Sequence, residues 1–375
     1  MKLDEQEIHV LRTIRRHASI SRKALASELG LSQASITNIT RSLMEQQYIL
    51  EGEHVGERRG RKEILLHVNP AKFRYLGIDI GMYLLRFAIS DNHLNITHYK
   101  EFLTEEFKAK PDALTEIMER MDAFLAESGL EAQHIDAVGI GVTGIVSKDR
   151  QSIVSVPNAT HWGELGIVAA VHQRLQCPVF LDESGRVMAL VEKVFGQARP
   201  FSDFIIVHVS HSVVAGFMTN GAILRGYTNI GGLLGHITVD ESAGRCLCGN
   251  YGCLEDQVVL PMAKLKYRKK SGEDSNKLFE AVRKNDKTAI DVCMEVGKAI
   301  GIALSNVVNL FNPQAIFIGG AVFEHLPFVL DETKRTILLR ANRYATVELQ
   351  MLQSSYADKQ GLKGALALAS TELLA

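Results

Sequence analysis

Cysteine is scarce in this chain, with five among 375 residues. Cys246, Cys248 and Cys253 fall in one short tract, which leaves Cys177 and Cys293 as isolated thiols expected to be buried. That usage excludes a disulfide framework and fits a reduced, cytoplasmic protein. An excess of one charge is also missing. Forty-two Lys+Arg stand against 43 Asp+Glu, a formal net charge of -1. Whole-chain charge therefore gives no hint of nucleic acid, and any basic surface must be local. Long apolar runs are absent too. The most apolar late stretch, residues 300–311, is interrupted by Ser305, Asn306 and Asn309, so no membrane span is expected. The opening MKLDEQEIHVLRTIRR lacks the apolar core of a signal peptide. Hydrophobic residues nonetheless make up 46%, enough for a sizeable core, and the length predicts two or three domains.

The first domain is expected over residues 1–70. Residues 5–16 show helical spacing, with Ile8, Leu11 and Ile14 on one side. Ser21 is a good N-cap for a second short helix carrying Ala24, Leu25 and Leu29, and Gly30 ends it. Ser32 caps a third helix, whose apolar side is Ile36, Ile39 and Leu43. Two short helices joined by a glycine-containing turn make a helix-turn-helix. The polar side of the third helix carries Ser32, Gln33, Ser35, Thr37, Asn38 and Arg41. Short hydrogen-bonding side chains near a helix N-terminus suit base edges in a major groove. A strand, a basic turn and a second strand follow, which reads as a wing. Arg58, Arg59 and Arg61 lie at its tip, placed for phosphate or minor-groove contact with double-stranded operator DNA. The alternative is a winged helix used for protein contacts, with a solvated basic loop.

Asn69-Pro70 marks the boundary to a larger part, residues 71–375. Strand patterns at 75–90, 137–142, 204–208 and 315–319 alternate with helical ones at 112–128, 185–195 and up to about 310. Such alternation predicts α/β layers.

Within that part, residues 235–255 read GHITVDESAGRCLCGNYGCLE. His236, Cys246, Cys248 and Cys253 make a closed four-ligand set for structural zinc, and Gly249 and Gly252 let the backbone turn tightly. The alternative is a reduced cysteine cluster in a loop.

His236 with the CxCGxxGCxE pattern of residues 246–255 resembles the signature of the ROK family, which groups sugar kinases with sugar-responsive repressors. The resemblance extends over nearly the whole chain. It implies two actin-like, ribonuclease H-like lobes, about 71–200 and 201–375, with a cleft between them.

The kinases of that family carry a phosphate loop resembling DxGGT. Here Asp79-Ile-Gly81-Met82-Tyr83 replaces its second glycine and threonine. A second phosphate loop, usually GTGxGxG, falls at Ser210-His-Ser-Val-Val-Ala-Gly216, without the early glycines. Ser184 stands where the catalytic aspartate would be, and an unassisted serine is no base at neutral pH. Asp182 and Glu183 are the neighbours through which a shifted register would supply one. The resemblance therefore points away from an enzyme.

The sugar side is better kept. Thr143 and Gly144 match a turn lining the family's sugar pocket, and Asn158, His236 and Glu255 match hydroxyl-binding positions, with Glu183 beside them. His236 would hold zinc through one ring nitrogen and present the other to ligand. Leu233 departs from the family, which usually has a glutamate there. The alternative is that Asn158 and Glu255 are ordinary loop and cap residues. The resemblance implies a regulator of carbohydrate uptake or catabolism genes, usually a repressor, sensing a small carbohydrate as a homodimer or higher homo-oligomer. A kinase with an added DNA-binding domain, or a regulator controlled by a protein partner, are the alternatives.

Overall fold

The computed structural model describes residues 3–55, 63–107, 109–110 and 112–374. Helices Glu5–His17, Arg22–Leu29 and Gln33–Glu45 come first. Each begins on a side-chain cap: Ser21 on Ala24 N–H and Ser32 on Ser35 N–H as expected, and Asp4 in a capping box with Glu7, which has no sequence expectation behind it. Gly30 ends the second helix in the left-handed region at φ 64°. Strands Ile49–Val55 and Glu63–Val68 pair antiparallel, and Ile20–Ser21 adds to the edge of the second. Val10, Leu11, Ile14, Leu25, Ile36, Leu43, Ile49 and Leu66 fill the core of this winged helix.

The rest is mixed α/β in two lobes of one topology. The first sheet orders its strands as Val179–Glu183, Ala137–Val142, Tyr75–Ile80, Leu84–Ser90 and Ile96–Leu103. The second runs Gln350–Gln353, Ala315–Gly319, Phe204–Val209, Val213–Thr219 and Ala222–Ile223. In both, three antiparallel strands joined by tight hairpins continue into two parallel ones. The hairpin turns after Ile80 and after Val209 therefore occupy matching places in the two lobes. These are the turns that the family resemblance aligns with the two phosphate loops.

Two helices join the lobes. Ser184–Val194 packs on strands Phe204–Val209 and Val213–Thr219 of the second sheet. The Gly185 and Gly216 backbones meet so closely that a Cβ on either would lie about 2 Å from a backbone oxygen. Gln360–Glu372 crosses back to lie on the first sheet, so the chain's last helix packs with the first lobe although the sequence division placed it in the second. Its small residues allow this: a Cβ on Gly364 would fall 2.6 Å from the Val187 backbone, where the two helices cross. Gln360 Nε2 donates to Glu192 Oε2 across that crossing at 3.0 Å. Cys177 and Cys293 are buried. Among the described residues no helix is long and apolar enough to cross a membrane.

Candidate functional site

A cavity of about 280 Å³ opens between the lobes. Thr143, Gly144 and Glu183 line it from the first lobe. Leu233, His236, Cys248 and Glu255 line it from the second. Three of the four expected ligand-binding residues, Glu183, His236 and Glu255, thus meet in one space. The side chain of Asn158 lies outside the described residues. Its backbone belongs to the turn Pro157–Trp162, and Pro157 lines the cavity.

Glu183 ends a parallel strand and caps helix Ser184–Val194. Its Oε2 accepts from Gly185 N at 2.9 Å and Arg186 N at 3.3 Å. Enclosure away from bulk water pushes its carboxyl up to about 7, against the pull of those two N–H groups. Glu255 opens a short helix and accepts from Val213 N at 2.9 Å. Burial raises its pKa as well. Both carboxyls border the cavity and offer oxygen atoms able to bond hydroxyl ligands. Ser184 Oγ and Thr143 Oγ1 lie 3.1 Å apart, so the Ser184 hydroxyl is tied to the cavity wall.

The metal-ligand group borders this cavity. Short antiparallel bridges, Thr238 with Cys253 and Arg245 with Tyr251, bring His236 beside the cysteines. Gly252 is required there: its φ is +66°, and a Cβ would sit 1.9 Å from Asp240 O. One ligand atom each from His236, Cys246, Cys248 and Cys253 lies within 4.8 Å of the others. Cys248 Sγ and Cys253 Sγ are 3.6 Å apart, and His236 Nδ1 is 3.8 Å from Cys246 Sγ. Tetrahedral zinc with bonds of about 2.3 Å to sulfur needs ligand separations of roughly 3.8 Å, whereas a disulfide needs about 2.0 Å. Donor chemistry and spacing both fit a metal ion.

The two hairpin turns that the family resemblance aligns with phosphate loops touch each other. The Tyr83 ring from one hairpin turn rests on the His211 ring from the other, with centroids 4.1 Å apart. Burial, and then the Lys264 charge, lowers the His211 pKa, so the ring is neutral. Arg86 pairs with buried Asp79 at 2.8 Å. Ser210 Oγ accepts from Ala321 N at 3.0 Å.

Several functional residues have no sequence expectation behind them. Arg186 is 3% exposed, lines the cavity, and donates to Asp182, to Asn229 and to the carbonyl of Gly231. Arg225 reaches Asp182 at 2.7 Å. Asn229 Nδ2 donates to Ser147 O at 3.2 Å, which closes a polar seam across the lobes. The Asp182–Arg186 pair at i,i+4 is a readable signal. The loop 225–231 is too distant in sequence to give one.

In the winged helix, Ser32, Gln33, Thr37, Asn38 and Arg41 are exposed, and Ser35 is half-buried. Ser32 Oγ and Thr37 Oγ1 are engaged by their own helix, through Ser35 N and Gln33 O. Arg58, Arg59 and Arg61 lie outside the described residues.

Known proteins share this arrangement. Residues 75–372 match the ROK family and residues 3–60 match the MarR family. The xylose repressor of Bacillus subtilis is 26% identical over 352 residues, covering 92% of this chain and 90% of that protein. The DNA-binding transcriptional dual regulator NagC of Escherichia coli is 28% identical over 383 residues, covering 97% and 92%. A crystal structure of a ROK family transcriptional regulator, a homolog of the E. coli MLC protein, superposes with a TM-score of 0.79 at 26% identity, covering 98% of this chain and 96% of that one. A winged helix, two lobes of one topology and a metal-ligand group beside an interlobe cavity thus accompany a match over residues 75–372, and the chain belongs to the ROK family.

Proposed function

We propose that this protein is a sequence-specific DNA-binding transcriptional regulator, a repressor of carbohydrate uptake or catabolism genes, controlled by a sugar or sugar derivative in the interlobe cavity. Residues 1–70 bind operator DNA and residues 71–375 sense the ligand. The observation that carries this reading is the asymmetry of the cleft. Glu183, His236 and Glu255 line the cavity with groups able to bond hydroxyls, while Tyr83 and His211 of the two hairpin turns rest against each other beside it. The full-length similarity to repressors supports the same conclusion.

Gln33, Ser35, Thr37, Asn38 and Arg41 are the candidate base readers, with Ser32 as cap, and Arg58, Arg59 and Arg61 the candidate phosphate contacts. Asn158, Glu183, His236 and Glu255 contact the sugar. His236, Cys246, Cys248 and Cys253 hold a structural zinc ion. With Nδ1 toward the cysteines, His236 keeps Nε2 for ligand, so metal and effector share one imidazole. Two copies pair so that two recognition helices meet two half-sites. A protein that binds operator DNA works in the cytoplasm, where that DNA lies.

A kinase with an appended DNA-binding domain has one observation in its favour. Burial raises the Glu183 carboxyl to about 7, in the range a general base uses, although its Oε2 is engaged in capping its own helix. Against it, Arg86 neutralises Asp79, and valines 213 and 214 follow the second hairpin turn. Footprinting on the protein's own upstream DNA, with a panel of sugars and sugar phosphates, tests the regulator. Two protected half-sites weakened by one compound are expected. Protection that no compound alters would move control to a protein partner, and sugar-dependent ADP formation would restore the kinase.

A further inference from the structure

The winged helix is fastened to the hinge between the lobes by a buried cation. Arg15, on the inner side of helix Glu5–His17, is 7% exposed. Its NH1 donates to Ser370 O at 2.6 Å, in the last turn of helix Gln360–Glu372. Its NH2 donates to Asn92 Oδ1 at 2.9 Å, which also accepts from Tyr75 OH at 2.9 Å. Arg12 reaches past the end of the same hinge helix, where its Nε donates to Leu374 O at 2.8 Å. Apolar contacts follow the same route. One buried cluster runs from Val10, Leu11 and Ile14 through Leu366 and Ala369 to Val191. Val191 lies on the helix that Glu183 caps at the cavity.

A second polar route reaches the same helix end. Asn229, in the cavity wall, donates to Ser147 O. Three residues on, Arg150 NH1 donates to Glu372 Oε1 at 2.9 Å. Both lobes therefore act on the C-terminal turn of Gln360–Glu372, and Arg15 is seated on that turn. A buried guanidinium tolerates few alternative partners, because a moved acceptor leaves its charge unsatisfied.

We propose that Arg15 is the positioning residue through which the cleft and the winged helix sense one another. The inference rests on the regulatory reading above. It also carries a reciprocal consequence: if the cleft biases DNA affinity, DNA must bias the cleft by the same factor.

The test uses that reciprocity and needs no known effector. Hydrogen exchange of the full-length protein is followed with and without the upstream DNA defined by footprinting. In the wild type, DNA is expected to change exchange in residues 184–194 and 360–372 as well as in the winged helix. Arg15→Met is expected to bind the same DNA within about fivefold, the lower end of such couplings, with the exchange change confined to the winged helix. Arg15→Lys, which keeps the charge and one donor, is expected to restore part of the transmitted change and serves if the Met variant does not fold. Transmission undiminished in both variants overturns the inference. Wild-type protein that binds DNA with no change at the hinge overturns the inference alone. Wild-type protein that binds no upstream DNA overturns the regulatory reading together with it.

Discussion

The interlobe cavity and the two hairpin turns beside it engage their side chains differently. On the sugar side, Glu183, Glu255, His236 and Thr143 leave an open cavity bordered by polar atoms. On the phosphate side, the matching hairpin turns carry bulky rings that touch each other, and an arginine neutralises the aspartate at the strand end. Both sides are built from the same topology, so the fold does not decide what the cleft does. The side chains at two turns do. The two sides are not independent, because Met82 and Val213 of those turns also line the cavity, and Val213 N donates to Glu255.

The strongest way to break this comparison is to disrupt the metal-ligand group, which borders the cavity and not the hairpin-turn ring contact. Cys253→Ser should lose bound zinc by elemental analysis and lower stability by several kcal/mol, with sugar binding lost alongside. Zinc content unchanged in this variant, or in Cys246→Ala, would remove those residues from the ligand set.

The next effect concerns Glu183. Its folded pKa, raised from 4.5 to about 7, means that the folded state holds the proton more tightly. The stabilising contribution is complete below about pH 4.5 and is lost as pH rises through 7. It is worth at most about 3 kcal/mol. His208, pushed down to about 4 by burial, acts in the opposite sense at lower pH. The difference between wild type and Glu183→Gln in melts from pH 5 to 8 therefore isolates the carboxyl. Parallel melting curves would contradict its enclosure.

Smaller again, Glu255→Gln should weaken the effector about 10- to 100-fold by calorimetry, the cost of altering one charged hydrogen-bond partner. The sharpest contrast is the smallest effect. Tyr83→Thr with His211→Gly should leave sugar affinity within about threefold, since neither ring belongs to the sugar side. A tenfold loss would join the two sides into one site.

Much of this organisation was legible locally. Ser21 and Ser32 announce helix starts because a cap satisfies N–H groups two or three residues away, and Gly30 announces an end for a similar short-range reason. His236 and the three cysteines were legible because ligand chemistry admits few residue types. The same holds for Glu183 and Glu255, through the family pattern. Arg15 was not legible. It sits among helix-forming residues like Arg12 and Arg16, and its partner Ser370 is 355 residues away. The Arg186–Asn229 seam was hidden for the same reason, because only tertiary packing brings a loop of the second lobe onto the first. The return of helix Gln360–Glu372 to the first sheet likewise depends on close approach at Gly364, which composition alone does not signal.

The central claim is that the cleft senses a sugar and performs no phosphoryl transfer. The most direct measurement titrates a sugar panel, with MgATP present, into the protein bound to fluorescent upstream DNA, following anisotropy and ADP together. The account predicts that one sugar releases the DNA with no ADP formed above background. Sugar-stimulated ADP formation, with DNA affinity unchanged at saturating sugar, would contradict it.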